Sequence, residues 1–162
     1  AGLLMARLIY SDMVDAMSPS WSYWKGMELK GNHALIALHP FQDDIYRGGT
    51  VQANKLLYTL GNYSFFVRPG YTRVALSGAD DLASVAATAY LSPDGKRLVA
   101  VFVNNTFEKQ SVEVALPKSC KVTSAKMYIT DERNDLSLHE MASPATFNLN
   151  ARSVTTIVYN LK

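Results

Sequence analysis

Cysteine is nearly absent from this chain. Cys120 is the single one in 162 residues, which excludes an intrachain disulfide. Histidine is scarce as well, and His33, His39 and His139 show no metal-site spacing, so neither a structural metal nor a cofactor is expected. Charge of one sign is missing too: 16 Lys and Arg stand against 14 Asp and Glu, a net charge of +2. The basic residues are scattered singly, which argues against a phosphate-tracking patch and so against nucleic acid as a partner. No apolar run approaches the roughly 20 residues that a membrane span requires, and no basic stretch precedes an apolar one near Ala1. The chain opens on apolar, helix-like residues with no initiator Met and no capping residue, and reads as a piece of a longer protein whose targeting signal would lie upstream.

What is present is a core. With 48% hydrophobic and 19% charged residues, the chain has the composition of a folded domain, or of a domain plus part of another. Leu4, Leu8, Tyr10, Met13, Val14 and Met17 recur at helical spacing, predicting an amphipathic helix over Leu3 to Ala16, ended by Pro19. Ser20-Trp21-Ser22-Tyr23-Trp24 follows as an aromatic segment of strand propensity, and His33 to Leu38 reads as a second short strand. The polar stretch Phe41 to Gly49 reads as a loop, after which Thr50 is placed to cap a helix from about Val51 to Phe65.

Beyond Pro69-Gly70 the period changes to two. Strands are expected at about 72–76, 84–91, 97–104, 111–116, 124–130, 146–149 and 153–160, with turns between them at Ser77-Gly78, Pro93-Asp94-Gly95, Asn104-Asn105, Pro117-Lys118 and Pro144. Short strands at such intervals indicate a sandwich. Asp94-Gly95 between two apolar strands is the strongest hairpin signal, since glycine supplies the positive φ of a tight turn.

Three segments, in order, carry a resemblance. They are Ser18-Pro19-Ser20-Trp21-Ser22-Tyr23-Trp24; the run from Lys55 through Tyr58, Leu60-Gly61, Tyr63-Ser64 and Phe66-Val67-Arg68-Pro69-Gly70-Tyr71; and Leu149-Asn150-Ala151-Arg152-Ser153-Val154-Thr155-Thr156-Ile157-Val158. Ala89-Tyr90 with Asp94-Gly95-Lys96-Arg97-Leu98-Val99 adds a fourth. Together they resemble the C-terminal part of family 30 glycoside hydrolases, a clan of glucosylceramidases, endo-xylanases and endo-β-1,6-galactanases. The resemblance implies a mainly β fold, an antiparallel β-sandwich preceded by the last α/β segment of a (β/α)8 barrel. Residues 1–70 would be the barrel segment and 71–162 the sandwich side domain.

Retaining enzymes of this kind use two Glu residues, and the resemblance places both upstream of Ala1. Glu28 is the only Glu in the helix-rich part, and the remaining four lie in the β-rich part. No catalytic residue is therefore expected in this chain, which alone should be inactive. The resemblance implies a parent that is extracellular or periplasmic and takes a β-linked oligo- or polysaccharide; the Trp21 to Trp24 segment and the His33 to Pro40 stretch lean toward the galactanase-type members.

Trp21, Tyr23 and Trp24 are the candidate substrate-binding residues, because residues at C-terminal strand ends line barrel active sites. Alternation puts Trp21 and Tyr23 on one face and Trp24 on the other. Packing inside the barrel is their competing role. His39 and Asp43-Asp44 read as solvated loop residues, and two adjacent carboxylates fall short of a calcium site. Arg68 is expected to hold the end of its helix, while Tyr58, Phe65 and Phe66, with Tyr90, Phe102 and Phe107, are expected in cores. Asn62-Tyr63-Ser64 and Asn104-Asn105-Thr106 match the glycosylation pattern.

Two other functions remain open at this point. A free-standing carbohydrate-binding module would show a planar row of exposed aromatics on its β-domain. A non-catalytic assembly domain would associate, because a family fragment without its N-terminal strands leaves an unpaired sheet edge and uncovered helix faces, inviting dimerisation.

Overall fold

The computed structural model describes residues 2–162. In chain order the elements are α1 (Gly2–Val14), β1 (Met27–Leu29), β2 (Ile36–Pro40), β3 (Gly49–Ala53), α2 (Lys55–Ser64), β4 (Thr72–Val74), β5 (Val85–Leu91) and β6 (Arg97–Asn104). β7 (Gln110–Glu113), β8 (Val122–Thr130), β9 (Ser137–His139), β10 (Thr146–Leu149) and β11 (Ser153–Leu161) complete them. The fold is mainly β, as the period-two segments foretell. All seven strands expected beyond Pro69-Gly70 are present, and β9, only three residues long, is the addition.

A six-stranded antiparallel sheet in the order β4-β5-β6-β11-β8-β9 forms the centre. Its inner strands are apolar on both sides because both sides are covered. Along β6, Val99, Val101 and Val103 face the helices, where they meet Met5, Ile9, Leu56 and Phe66. Leu98, Ala100 and Phe102 face the other way, toward Phe147 and Leu149 of β10, which among the described residues pairs with β7 alone. The molecule thus has three layers: two helices, a broad sheet and a two-stranded ribbon. Each fully buried aliphatic side chain in these layers contributes about 1.5–3 kcal/mol through apolar burial.

The β5–β6 hairpin turns where expected. Gly95 has φ 71°, and the Asp94 carboxylate accepts hydrogen bonds from the Ser92 hydroxyl (2.6 Å) and the Lys96 N–H (3.0 Å). Those donors hold the Asp94 carboxyl below the usual carboxylate range. Gly70, at φ 90°, makes the turn that leads from the helices into the sheet. The Arg68 guanidinium donates to the Ser64 carbonyl at 2.7 Å, closing the end of α2 as its position suggested.

The first seventy residues differ more from expectation. α1 stops at Val14, five residues before Pro19, because Met17 adopts φ 50° and the Ser18 N–H returns to the Asp12 carbonyl. Trp21 to Trp24 form no strand. Thr50 and Val51 extend as part of β3 against β2, with His39 opposite Thr50, and the helix begins four residues later than expected, at Lys55. Their β-branched side chains suit an extended chain, and β2 offers them an edge. Asn54 stands at the switch in extended conformation, its N–H bonded to Leu35 O and its amide to Ala34 O.

A polar clamp fixes α2 to the sheet. Buried Asn62 donates to the Thr130 hydroxyl (2.6 Å) and the Tyr58 carbonyl, and accepts from the Thr156 hydroxyl at 3.0 Å. Lys55 forms an ion pair with Asp135 on the loop that precedes β9. Asn104 is equally buried, its amide donating to Glu108 O and Asn150 O. Both glycosylation-pattern asparagines are therefore spent inside the fold.

Candidate functional site

The three candidate aromatics lie on an irregular segment between α1 and β1, held at both ends. Upstream, the Trp21 indole donates to the Asp12 carboxylate of α1 at 2.7 Å. Downstream, the Leu35 and Ile36 N–H groups bond Lys25 O and Gly26 O, starting the parallel β1–β2 pairing. Trp21 stacks on Tyr23 with ring centroids 6.2 Å apart and planes within 16°. The Tyr23 hydroxyl donates to the His33 carbonyl at 2.6 Å, so this pair is partly buried and oriented. Trp24 is 87% exposed. Trp21 and Tyr23 thus come together without the expected strand, and Trp24 lies exposed to solvent.

The neighbouring carboxylates are engaged with cations. Glu28 pairs with Lys25 at 2.6 Å and accepts from the His33 N–H, and the Lys25 contact, ahead of the His33 bond, keeps its carboxyl below the usual range. Asp43 pairs with Lys30, and Asp44 with Arg47 at 3.1 Å. His39 sits within β2 rather than in the loop. Among the described residues, no group of three or more His, Cys, Asp or Glu is arranged to hold a metal ion. Stacked aromatics and one projecting indole can bind the apolar faces of sugar rings; a proton-transferring pair is a different arrangement.

One surface aromatic escaped the sequence reading. Tyr46, on the loop between β2 and β3, is 92% exposed. A tyrosine inside a polar, glycine-ended loop was the available signal, masked by the attention that Asp43 and Asp44 attract. Two residues expected in cores are instead on the surface. Phe65 follows α2 on its outer side, and Phe107 lies on a turn with the Arg152 guanidinium 4.9 Å from its ring centre.

The β-rich part has a second concavity. Between the central sheet and the β7 ribbon runs a groove of about 770 Å³ lined by Val74, Leu76, Ala100, Val112, Val114 and Leu116 among others. Cys120 lies along it. Among the described residues, β7 pairs on one side only, with β10.

The chain matches the description of a glycosyl hydrolase family 30 beta sandwich domain over residues 70–157, more than half its length. Its architecture is similar to that of a conserved exported protein from Bacteroides fragilis, at 31% identity and a TM-score of 0.84, covering 97% of this chain and 33% of that one. It is also similar to the catalytic domain of a family 30 xylanase C from Talaromyces cellulolyticus, at 26% identity and a TM-score of 0.81, covering 98% of this chain and 35% of that one. A family 30 subfamily 8 xylanase from Clostridium acetobutylicum shares the fold at 20% identity and a TM-score of 0.77, covering 98% and 38%. The chain spans about a third of the length of these solved structures. Sandwich, hairpin and closing strand together place the chain in glycosyl hydrolase family 30, through its C-terminal β-sandwich part.

Proposed function

We propose that the chain is the C-terminal portion of a retaining glycosidase acting on β-linked glycans. Residues 1–70 would supply the last segment of its (β/α)8 barrel, and residues 71–162 would brace that barrel. The observation that carries this reading is the alignment of almost the whole chain, helices and sandwich together, with one third of the exported protein from Bacteroides fragilis and of the Talaromyces enzyme. The two catalytic carboxylates would come from the other two thirds. Retaining chemistry needs them about 5 Å apart on one rigid scaffold, one neutral and one ionised.

In this reading Trp21, Tyr23 and Trp24 form the wall of the substrate cleft. Trp21, fixed by Asp12, and Tyr23, fixed by the His33 carbonyl, are preorganised, while Trp24 offers a free ring face. The glycan is galactanase-type, a leaning supported by the Trp21 to Trp24 segment. Xylan is the second candidate, favoured by the 26% identity with the Talaromyces enzyme. The parent would be extracellular or periplasmic, in keeping with the exported relative. Through the unpaired side of β7, and through Leu4 and Leu8 exposed on α1, the isolated chain would associate with a second copy.

Incubating the chain alone with β-1,6-galactan and with xylan tests the assignment. No reducing sugar should be released from either; release would place catalysis within these residues and overturn it. Extending the reading frame upstream should then reveal two Glu-bearing barrel strands, whose absence would refute the parent's identity.

A further inference from the structure

The three short strands between the candidate sugar wall and α2 form a sheet that is inside out. Pairing sets Met27 beside Ile36, Leu29 beside Leu38, Ile36 opposite Ala53 and Leu38 opposite Val51, so all six side chains stand on one face. Glu28, Ala37, His39, Thr50 and Gln52 alternate onto the other. The apolar face is the one turned to water: Met27, Leu29 and Val51 are 61%, 55% and 69% exposed. The polar face is the one closed off near its centre, with Ala37 1% exposed, His39 Nε2 shut away from solvent and Glu28 held by Lys25 and the His33 N–H.

Alternation of this kind specifies which face a sheet buries, and a slip of one residue would carry the whole apolar set to the other side. The register is held by five paired positions between β2 and β3 and by the Phe41 N–H bond to Gly48 O at their turn, so the apolar face is specified, yet the described residues leave it open. A contiguous apolar face in water marks an interaction surface. Two observations indicate what covers it. Eleven of the fourteen large apolar side chains that the described residues leave exposed lie before Pro69-Gly70, so the missing contact belongs to the helix-rich part and not to the sandwich. The exported protein from Bacteroides fragilis and the Talaromyces enzyme match 97% and 98% of this chain, a span that has to include this sheet, yet the match takes up only 33% and 35% of their own length.

We propose that the upstream part of the parent polypeptide packs on this face and lays apolar side chains over Met27, Leu29 and Val51. The inference rests on the reading of the chain as the C-terminal portion of a longer protein, and adds to it the surface by which the sheet is held. The sheet starts where the sugar wall stops, since the Leu35 and Ile36 N–H groups bond Lys25 O and Gly26 O. The same packing therefore fixes the downstream end of that wall.

Thiol labelling of Val51→Cys and, on the opposite face, of Thr50→Cys tests the docking, both in the 162-residue chain and in the parent obtained by extending the reading frame upstream of Ala1. Maleimide uptake is followed by mass spectrometry of the peptide that carries each position. Both positions are exposed strand sites, and cysteine, a small apolar side chain, suits either environment. In the 162-residue chain both should label rapidly. In the parent, Val51→Cys should label about tenfold or more slowly than in the short chain, while Thr50→Cys keeps its rate. Equal rates for Val51→Cys in the two proteins, or a slowing at Thr50→Cys as large as at Val51→Cys, would overturn the proposal. Slow labelling of Val51→Cys in the 162-residue chain that speeds up on dilution would put a second copy on the face, and would overturn it too. Absence of two Glu-bearing barrel strands from the extension would refute the glycosidase reading alone, and the labelling ratio would still decide the docking.

Discussion

The two faces of the central sheet are made by the same strands, residue by alternate residue, yet they are covered differently. On the helix side, Val99, Val101, Val103, Val154 and Val158 meet closely fitted side chains of α1 and α2, and a buried amide clamp holds the layers together. On the ribbon side, Leu98, Ala100, Phe102, Ile157 and Tyr159 are equally buried, beneath β7, β10 and partly buried side chains such as Val122 and Met141, with a long groove alongside. Tyr159 spans that side by donating to the Pro144 carbonyl, and Phe102 meets Phe147 edge to face at 5.4 Å. Both faces are covered, but differently: the helix layer leaves an opening of about 680 Å³ at the edge of the sheet, whereas the groove of about 770 Å³ on the other face runs the length of β7.

Substitutions can break or sharpen that contrast. The largest effect is expected at the clamp. Asn62→Ala removes an amide bonded to both Thr130 and Thr156 and leaves a hole under α2, and should cost about 3 kcal/mol in urea denaturation. Next come two enlargements of neighbouring β6 residues. Val101→Phe, pressed against the helices, should cost about 2 kcal/mol, whereas Ala100→Leu, pointing into the groove, should stay within about 0.5 kcal/mol. Equal penalties would show the groove closed in solution.

Asp131 gives a smaller, pH-dependent effect. Burial pushes its carboxyl upward, but donors from the Asn150 amide, the Arg133 N–H and Asn134 outweigh it and bring the net value below the ordinary range. The stability it supplies is complete above its unfolded pKa of about 3.9 and is lost as pH falls through the lower folded value. Asp131→Asn should therefore cost about 1–2 kcal/mol at pH 7 and flatten the acid limb of the stability curve below about pH 4. The smallest effect is expected at Phe107, 84% exposed, where Phe107→Ala should change stability by less than about 0.5 kcal/mol in the same denaturation assay.

The sandwich was legible because each of its strands repeats its own instruction. Val99 to Asn104 cannot hide its side chains except in a doubly covered strand, and Asp94-Gly95 encodes its own turn. The region before Lys55 was less legible because its shape is decided by pairing rather than by pattern. Thr50 next to a helix-like run looks like a cap until β2 is present to pair with it. Trp21 to Trp24 have strand-forming side chains, but the Asp12 bond and the stacking with Tyr23 set their orientation instead. Phe107 misled for a related reason: an aromatic beside an apolar strand looks like core, whereas Arg152 covers one side of its ring from a distant turn. The groove could not be read from composition, since Val112 and Val114 alternate as they would beneath a complete second layer.

The burial of Asn62 and Asn104 carries a practical consequence. Both occupy glycosylation-pattern sites and both are fully enclosed, so an oligosaccharide attached to either during passage through a eukaryotic secretory pathway would have no place in the folded molecule. A host that modifies the chain before it folds would divert part of its yield into molecules unable to close α2 onto the sheet, whereas a bacterial host lacking that machinery would leave every copy competent.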